Sequence, residues 1–204
     1  MNRRVLAIAL LCSISTSTLA KISSDEKRAH LLQLRTEGSH LKNKSSLDQA
    51  YLDAVLLLEQ PGPCGAFFGG QDVVTVLDNL VAQLHEERIN DSRIGIRMRG
   101  GFTVRVIEGT GTELMFRVFD DAELNINGPF ERAKVFAAEP NVPSVGSFLP
   151  NTRAARVLIL MHELGHLIKR DHDWLLPDDG TSPARSRENT KVVERNCGAQ
   201  IRTL

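Results

Sequence analysis

The sequence predicts an α+β fold, and three features support this prediction. Apolar residues recur at helical spacing in two early segments, residues 48–60 and 73–84. From Ile94 the apolar period changes to two, which is typical of strands. A strongly apolar helix follows the alternating region. Because the helical and strand patterns fall in separate blocks, they favour α+β over an alternating α/β order.

Size and composition favour one domain with a buried core. The chain has 204 residues, of which 42% are hydrophobic and 25% are charged, a balance that excludes wholesale disorder. Its formal net charge is zero. Nucleic-acid binding normally needs a basic surface, so the sequence argues against that class of function.

Residues 1–20 have the pattern of a signal peptide. Arg3 and Arg4 precede a short apolar run, and small residues up to Ala20 form a cleavage site. The run is about half the length that a bilayer span needs, so no membrane anchor is expected after cleavage. The mature chain would carry 23 basic and 25 acidic residues. We therefore expect export to a periplasmic or extracellular location.

The rest of the chain divides into an arm and one domain. Residues 21–46 are polar with a single apolar cluster, and they fit a loosely packed helix, a disordered arm or a short propeptide. Residues 47–204 form the predicted domain. Its first helix, residues 48–60, is stopped by Pro61 and Pro63. Residues 73–84 form the next helix.

A small antiparallel sheet and two further helices complete the predicted order. Glycine-rich turns separate the short β-type runs. The runs are residues 94–98, 102–107, 114–119 and 124–127. Asn151 or Thr152 then caps the apolar helix, which continues to His166 or beyond. A short helix capped by Ser186 covers residues 186–197.

The apolar helix contains the segment His162-Glu163-Leu164-Gly165-His166. Residues four apart lie on one helix face, so both imidazoles face the same point and can bind one zinc ion. Glu163 follows the first histidine directly, which keeps it off the metal and near a zinc-bound water. Two histidines satisfied by hydrogen bonds in a core are the alternative. That alternative is less favoured, because two histidines and a glutamate are costly to bury there.

This segment resembles the H-E-x-x-H signature of the zincin metallopeptidases. The C-terminal pattern from Ser186 to Cys197 is also similar to that of small exported bacterial proteins assigned to the metallopeptidases. The resemblance implies a zincin-like fold with a buried active-site helix. It also implies Zn²⁺ as cofactor, a peptide or protein as substrate, and Glu163 as the general base that activates the zinc-bound water.

His172 is the favoured third zinc ligand. It lies ten residues after His162 and is followed by Asp173, which resembles the metzincin arrangement. The chain departs from that pattern, because Lys169 replaces the glycine and no methionine follows the motif. A continuous helix would carry His172 about 15 Å along the axis from His162. Coordination by His172 therefore requires a helix break near residues 169–171.

Three acidic residues are alternatives for the third ligand. Asp178 and Asp179 lie in a turn-like segment that ends in Gly180, and Glu188 follows at a distance that resembles the gluzincin arrangement. A solvated turn and a helix-initiating acid are their ordinary structural roles.

Cys64 and Cys197 are the two cysteines that remain after signal removal, and we expect them to form a disulfide in an oxidising compartment. The similarity to exported bacterial proteins supports the same pairing. The alternative is that Cys64 acts as a latency thiolate, which would leave Cys197 unpaired.

The sequence thus predicts an exported zinc peptidase. One alternative is a catalytically inactive, zinc-stabilised or partner-binding exported domain. Another is a disulfide-linked module without metal.

Overall fold

The computed structural model describes residues 24–37, 44–87, 94–99, 103–107, 114–119, 121–134, 142–170 and 172–204. Within these ranges it contains six α-helices and two small sheets, which confirms the α+β class. The proposed signal peptide, residues 1–20, lies outside the described residues. No described helix is both long enough and apolar enough to cross a membrane.

Four helices precede the strands. Helix α1 (Ser24–Glu37) falls in the polar N-terminal segment and buries Leu31 and Leu34. Helix α2 (Ser46–Glu59) begins with a capping box, in which Ser45 and Asp48 each accept a hydrogen bond from the other's backbone N–H. The short α3 (Pro63–Phe68) and a 3₁₀ turn (Gly70–Val73) lead into α4 (Val74–Gln83).

The predicted strands are present with shifted ends, but they form two sheets instead of one. The first sheet has the order β1 (Leu84–Glu87), β5 (Asp121–Asn125), β2 (Ile96–Arg99). Its β1–β5 pair is parallel and its β2–β5 pair is antiparallel. In the second sheet, β3 (Thr103–Ile107) pairs antiparallel with β4 (Leu114–Val118). This sheet continues through two short strands that follow the apolar helix.

The apolar helix α5 (Arg153–Leu167) lies in the centre of the core. Thr152 caps it by accepting a hydrogen bond from the backbone N–H of Ala155. It contacts α2 on one side and α6 (Pro183–Ile201) on another. Arg153 makes two hydrogen bonds of 2.6 and 2.7 Å to the buried Asp53 carboxylate of α2, which ties the start of α5 to that helix.

In the C-terminal region, the start of the last helix differs from the sequence prediction, whereas the predicted disulfide is present. Helix α6 begins before Ser186, and its cap is Ser182, because Pro183 is well suited to the first helical position. The predicted disulfide is confirmed: Cys64 of α3 and Cys197 of α6 are bonded, both are fully buried, and 133 positions separate them. The bond therefore ties α6 to the N-terminal helices.

Candidate metal centre

Helix α5 presents His162 and His166 on one face, as their spacing predicts. Each of the two residues is only 6% exposed. Their Nε2 atoms lie 3.1 Å apart, so the two imidazoles converge on a single point. Glu163, between them in sequence, lies on a partly exposed part of the helix.

The chain turns back directly after this helix. Helix α5 ends at Leu167, and β6 (Ile168–Arg170) pairs antiparallel with β7 (Asp173–Trp174) to form a tight hairpin. The returning chain lies against the last turn of α5, where the backbone N–H of Leu176 donates to the carbonyl of Gly165 at 3.1 Å. This return places the segment that begins at Pro177, and with it Asp179, beside the two histidines.

Asp179 completes a group of three converging atoms. Its Oδ2 lies 3.1 Å from Nε2 of His162 and 3.7 Å from Nε2 of His166. Zinc bonds of 2.0–2.2 Å in a tetrahedron place neighbouring ligand atoms about 3.3 Å apart. The three separations of 3.1, 3.1 and 3.7 Å therefore fit three corners of a tetrahedral zinc site. Two imidazoles and a carboxylate are also a donor set that zinc accepts.

Helix α6 supports this group with two consecutive polar residues. Asn189 is buried and donates hydrogen bonds from Nδ2 to Oδ1 of Asp179 and to the carbonyl of Pro177, the latter at 2.8 Å. Oγ1 of Thr190 lies 3.0 Å from Nδ1 of His162. Each of these residues thus contacts one member of the group on the side away from the convergence point.

Two arginines hold the turn that carries Asp179. Arg117 of β4 forms an ion pair with Asp178 and stacks over the ring of Trp174, with 3.7 Å from Cζ to the ring centroid. Arg185 of α6 donates to the backbone carbonyl of Asp178 at 3.1 Å. The turn is therefore attached to both the second sheet and α6.

The protonation of the group reflects its mutual attraction. Burial alone would raise the pKa of Asp179, but hydrogen bonds from His162 and His166 outweigh burial and lower that pKa. Burial alone would lower the pKa of His166, yet Asp179, Glu163 and the backbone of Leu176 raise it overall. These interactions therefore stabilise the ionised carboxylate of Asp179 and the protonated form of His166.

The carboxyl of Glu163 has a raised pKa. Burial raises the pKa of its carboxyl, while the charges of His162 and His166 act in the opposite direction. A carboxylate with a raised pKa binds a proton more strongly than one in water.

The favoured third ligand, His172, is not in the group that the structure forms. Helix α5 ends at Leu167, shortly before the break that coordination by His172 required near residues 169–171. The following residues form the β6–β7 hairpin, and His172 lies exposed in its turn. Asp179, one of the alternatives, takes the third place.

The other two acidic alternatives also lie outside the group. The Asp178 carboxylate turns away to Arg117. Glu188 is exposed on α6, 3.5 Å from Lys191 and 3.8 Å from Arg195. Among the described residues, the one His, Cys, Asp and Glu group with metal-binding spacing consists of His162, His166 and Asp179.

Sequence reasoning gave no role to Asn189 and Thr190, although one signal was available. Asn189 lies four residues before the inward-facing Val193, so both fall on the same face of α6. A polar side chain on a buried face needs a hydrogen-bond partner.

Comparison with known proteins finds no matching family model, no matching curated protein and no matching solved structure. The metallopeptidase resemblance therefore depends on the residues of the site itself.

Proposed function

We propose that this chain is an exported zinc-dependent peptidase, with His162, His166 and Asp179 as the zinc ligands. The observation that carries the proposal is the triangle of 3.1, 3.1 and 3.7 Å formed by two Nε2 atoms and one carboxylate oxygen. These atoms come from two different elements, α5 and the turn before α6. Their convergence is therefore a property of the fold and not of helix spacing alone.

Zinc bound there would polarise the carbonyl of the substrate and acidify a water molecule. Glu163 is next to the first ligand and interacts electrostatically with all three members of the group. We assign it as the general base: its carboxylate accepts a proton from the attacking water and then returns that proton to the leaving amine nitrogen. The overall reaction is peptide hydrolysis: one water molecule is consumed, and a carboxylic acid and an amine are released.

Export is part of the same proposal. The confirmed Cys64–Cys197 disulfide supports it, because structural disulfides persist in the periplasm and outside the cell. It also leaves neither cysteine as a free thiolate that could bind the metal and keep the enzyme latent.

Glu163→Gln tests the proposed activity directly. We expect the wild-type protein with zinc to cleave a denatured protein substrate, and a chelator to stop the cleavage. Glu163→Gln should keep its zinc and lose activity by at least about 100-fold, the usual effect of removing a general base. The matched control is Glu188→Gln, which alters an exposed glutamate outside the group and should cleave as the wild type does.

Two outcomes would contradict the proposal. A protein that binds zinc stoichiometrically but shows no Glu163-dependent cleavage would be an inactive, zinc-stabilised domain. A protein that neither binds zinc nor responds to a chelator would be a module without metal.

A further inference from the structure

We infer that Thr190 and Asn189 are positioning residues of the metal centre: Thr190 directs Nε2 of His162, and Asn189 directs one oxygen of Asp179, toward the metal position. The inference rests on the proposed zinc site and goes beyond it, since it assigns how two ligands are oriented. Both residues lie side by side on α6, an element that contributes no member of the ligand group.

The hydrogen bonds of Thr190 determine which nitrogen of His162 carries the proton. Thr190 Oγ1 donates its single hydrogen to the carbonyl of Ser186 at 2.9 Å, since a carbonyl can only accept. The 3.0 Å contact between Oγ1 and Nδ1 of His162 must then use a proton on Nδ1. In the neutral imidazole, this leaves a lone pair on Nε2, the atom that faces Asp179 and His166. Thr190 thus selects the tautomer that can bind a metal through Nε2.

The two histidines differ in this respect. Nδ1 of His166 is buried and has no side-chain hydrogen-bond partner among the described residues, although the backbone of Leu176 interacts with the His166 ring. His162 is therefore the ligand whose orientation depends on a specific side-chain partner, and Thr190 is that partner.

Asn189 orients the carboxylate of Asp179 in a similar way. Its Nδ2 carries two hydrogens, and they are used by Oδ1 of Asp179 and by the carbonyl of Pro177. With Oδ1 held by Asn189, Oδ2 is the oxygen that faces both histidines. The second bond fixes the backbone just before the turn, so Asn189 positions the carboxylate and its segment together.

The test measures zinc affinity by competition with a chromophoric chelator, in the full-length protein. We expect Thr190→Val and Asn189→Leu each to weaken zinc binding by about 10- to 100-fold, as loss of such outer contacts usually does. Thr190→Ser keeps the hydroxyl and should recover an affinity close to that of the wild type.

Matched controls separate this role from ordinary helix stability. Thr36 makes the same kind of hydroxyl bond to the carbonyl four residues earlier, on α1. Asn196 bonds to the carbonyl of Val192 on α6 itself. Thr36→Val and Asn196→Leu lose similar bonds but touch no member of the ligand group, so we expect them to bind zinc as the wild type does.

A second measurement applies even where a variant does not fold. Nitrogen NMR of the zinc-loaded wild type should show His162 protonated at Nδ1 and bound to metal through Nε2. Coordination through Nδ1, or unchanged zinc affinity in folded Thr190→Val, would overturn the assignment of Thr190. Unchanged affinity in folded Asn189→Leu would overturn that of Asn189. If the wild type binds no zinc, both the proposed function and this inference fail. If the wild type binds zinc but the variants bind it equally well, only this inference fails.

Discussion

Oδ2 of Asp179 lies 3.1 Å from Nε2 of His162, although 17 positions separate the two residues in the chain. The contact depends on three features: the end of α5 at Leu167, the short hairpin that follows, and the return of the chain over Gly165. The proposed metal centre therefore depends on the packing of the returning chain as well as on the proposed ligands themselves.

Gly165 should be intolerant of a side chain. A Cβ at this position would lie 2.5 Å from Cδ1 and 2.7 Å from Cγ of the fully buried Leu176. Replacing glycine by alanine within a helix normally stabilises by about 0.5–1 kcal/mol. Here we expect the opposite sign, a loss of about 1–3 kcal/mol from overpacking, together with weaker zinc binding. Urea unfolding and chelator competition measure the two effects.

Gly198 of α6 provides the control for this prediction. A Cβ there would meet Cγ of Glu194 at 3.0 Å and Nη1 of Arg202 at 3.4 Å, which are longer distances than at Gly165 and involve two flexible side chains. We expect Gly198→Ala to be neutral or stabilising and to leave zinc binding unchanged. A stabilised Gly165→Ala variant with normal zinc affinity would show that the close approach of Leu176 is not needed.

The disulfide should contribute much of the stability of the fold. Cys64 and Cys197 are 133 positions apart, so their bond restricts the unfolded chain strongly. We expect the double variant Cys64→Ala/Cys197→Ala to lose about 2–5 kcal/mol of unfolding free energy, measured in urea. The single variants should lose at least as much, since neither can form the bond. A double variant as stable as the wild type would contradict this prediction.

Tyr51 should make stability fall at high pH. It is fully buried, and its hydroxyl donates to Oδ1 of Asp78 at 2.6 Å. Burial, followed by this hydrogen bond and the charge of Asp78, raises the pKa of Tyr51. The unfolded chain has a tyrosine pKa of about 10. The stability from Tyr51 is therefore fully present below pH 10 or so and is lost as the pH rises above it.

This loss can be isolated because Tyr51 is the only tyrosine. Ultraviolet absorbance should show tyrosinate only as the protein unfolds, and Tyr51→Phe should have a flatter dependence of unfolding free energy on pH above about 10. Tyrosinate formation in the folded protein near that pH would contradict the prediction.

Local patterns predicted much of the fold. The spacing of the apolar residues predicted α2 and the strands β2 to β5, and the strongly apolar run after them predicted α5, which is buried over most of its length. The expected export, together with the two cysteines that would remain after signal removal, predicted the disulfide. The parallel pairing of β1 with β5 was not predicted, because it joins segments far apart in the chain and no local pattern specifies such a pairing.

Only the part of the candidate site that depends on local sequence spacing was predicted. Helical geometry placed His162 and His166 together, since they lie one turn apart. The third member depends on where the chain goes after α5. The pattern around His172 suggested an immediate return to the histidines, whereas the β6–β7 hairpin carries His172 to an exposed turn and Asp179 back to the site.

The central claim is that Asp179, and not His172, completes a zinc site with His162 and His166. The most direct test measures zinc stoichiometry and affinity in the wild type, Asp179→Ala and His172→Ala. Asp178→Ala is the control at the neighbouring position. We expect one zinc per chain in the wild type, His172→Ala and Asp178→Ala. Asp179→Ala should bind zinc at least about 100-fold more weakly, beyond the loss of a merely supporting contact. Unchanged affinity in Asp179→Ala, with zinc lost from His172→Ala, would contradict the claim.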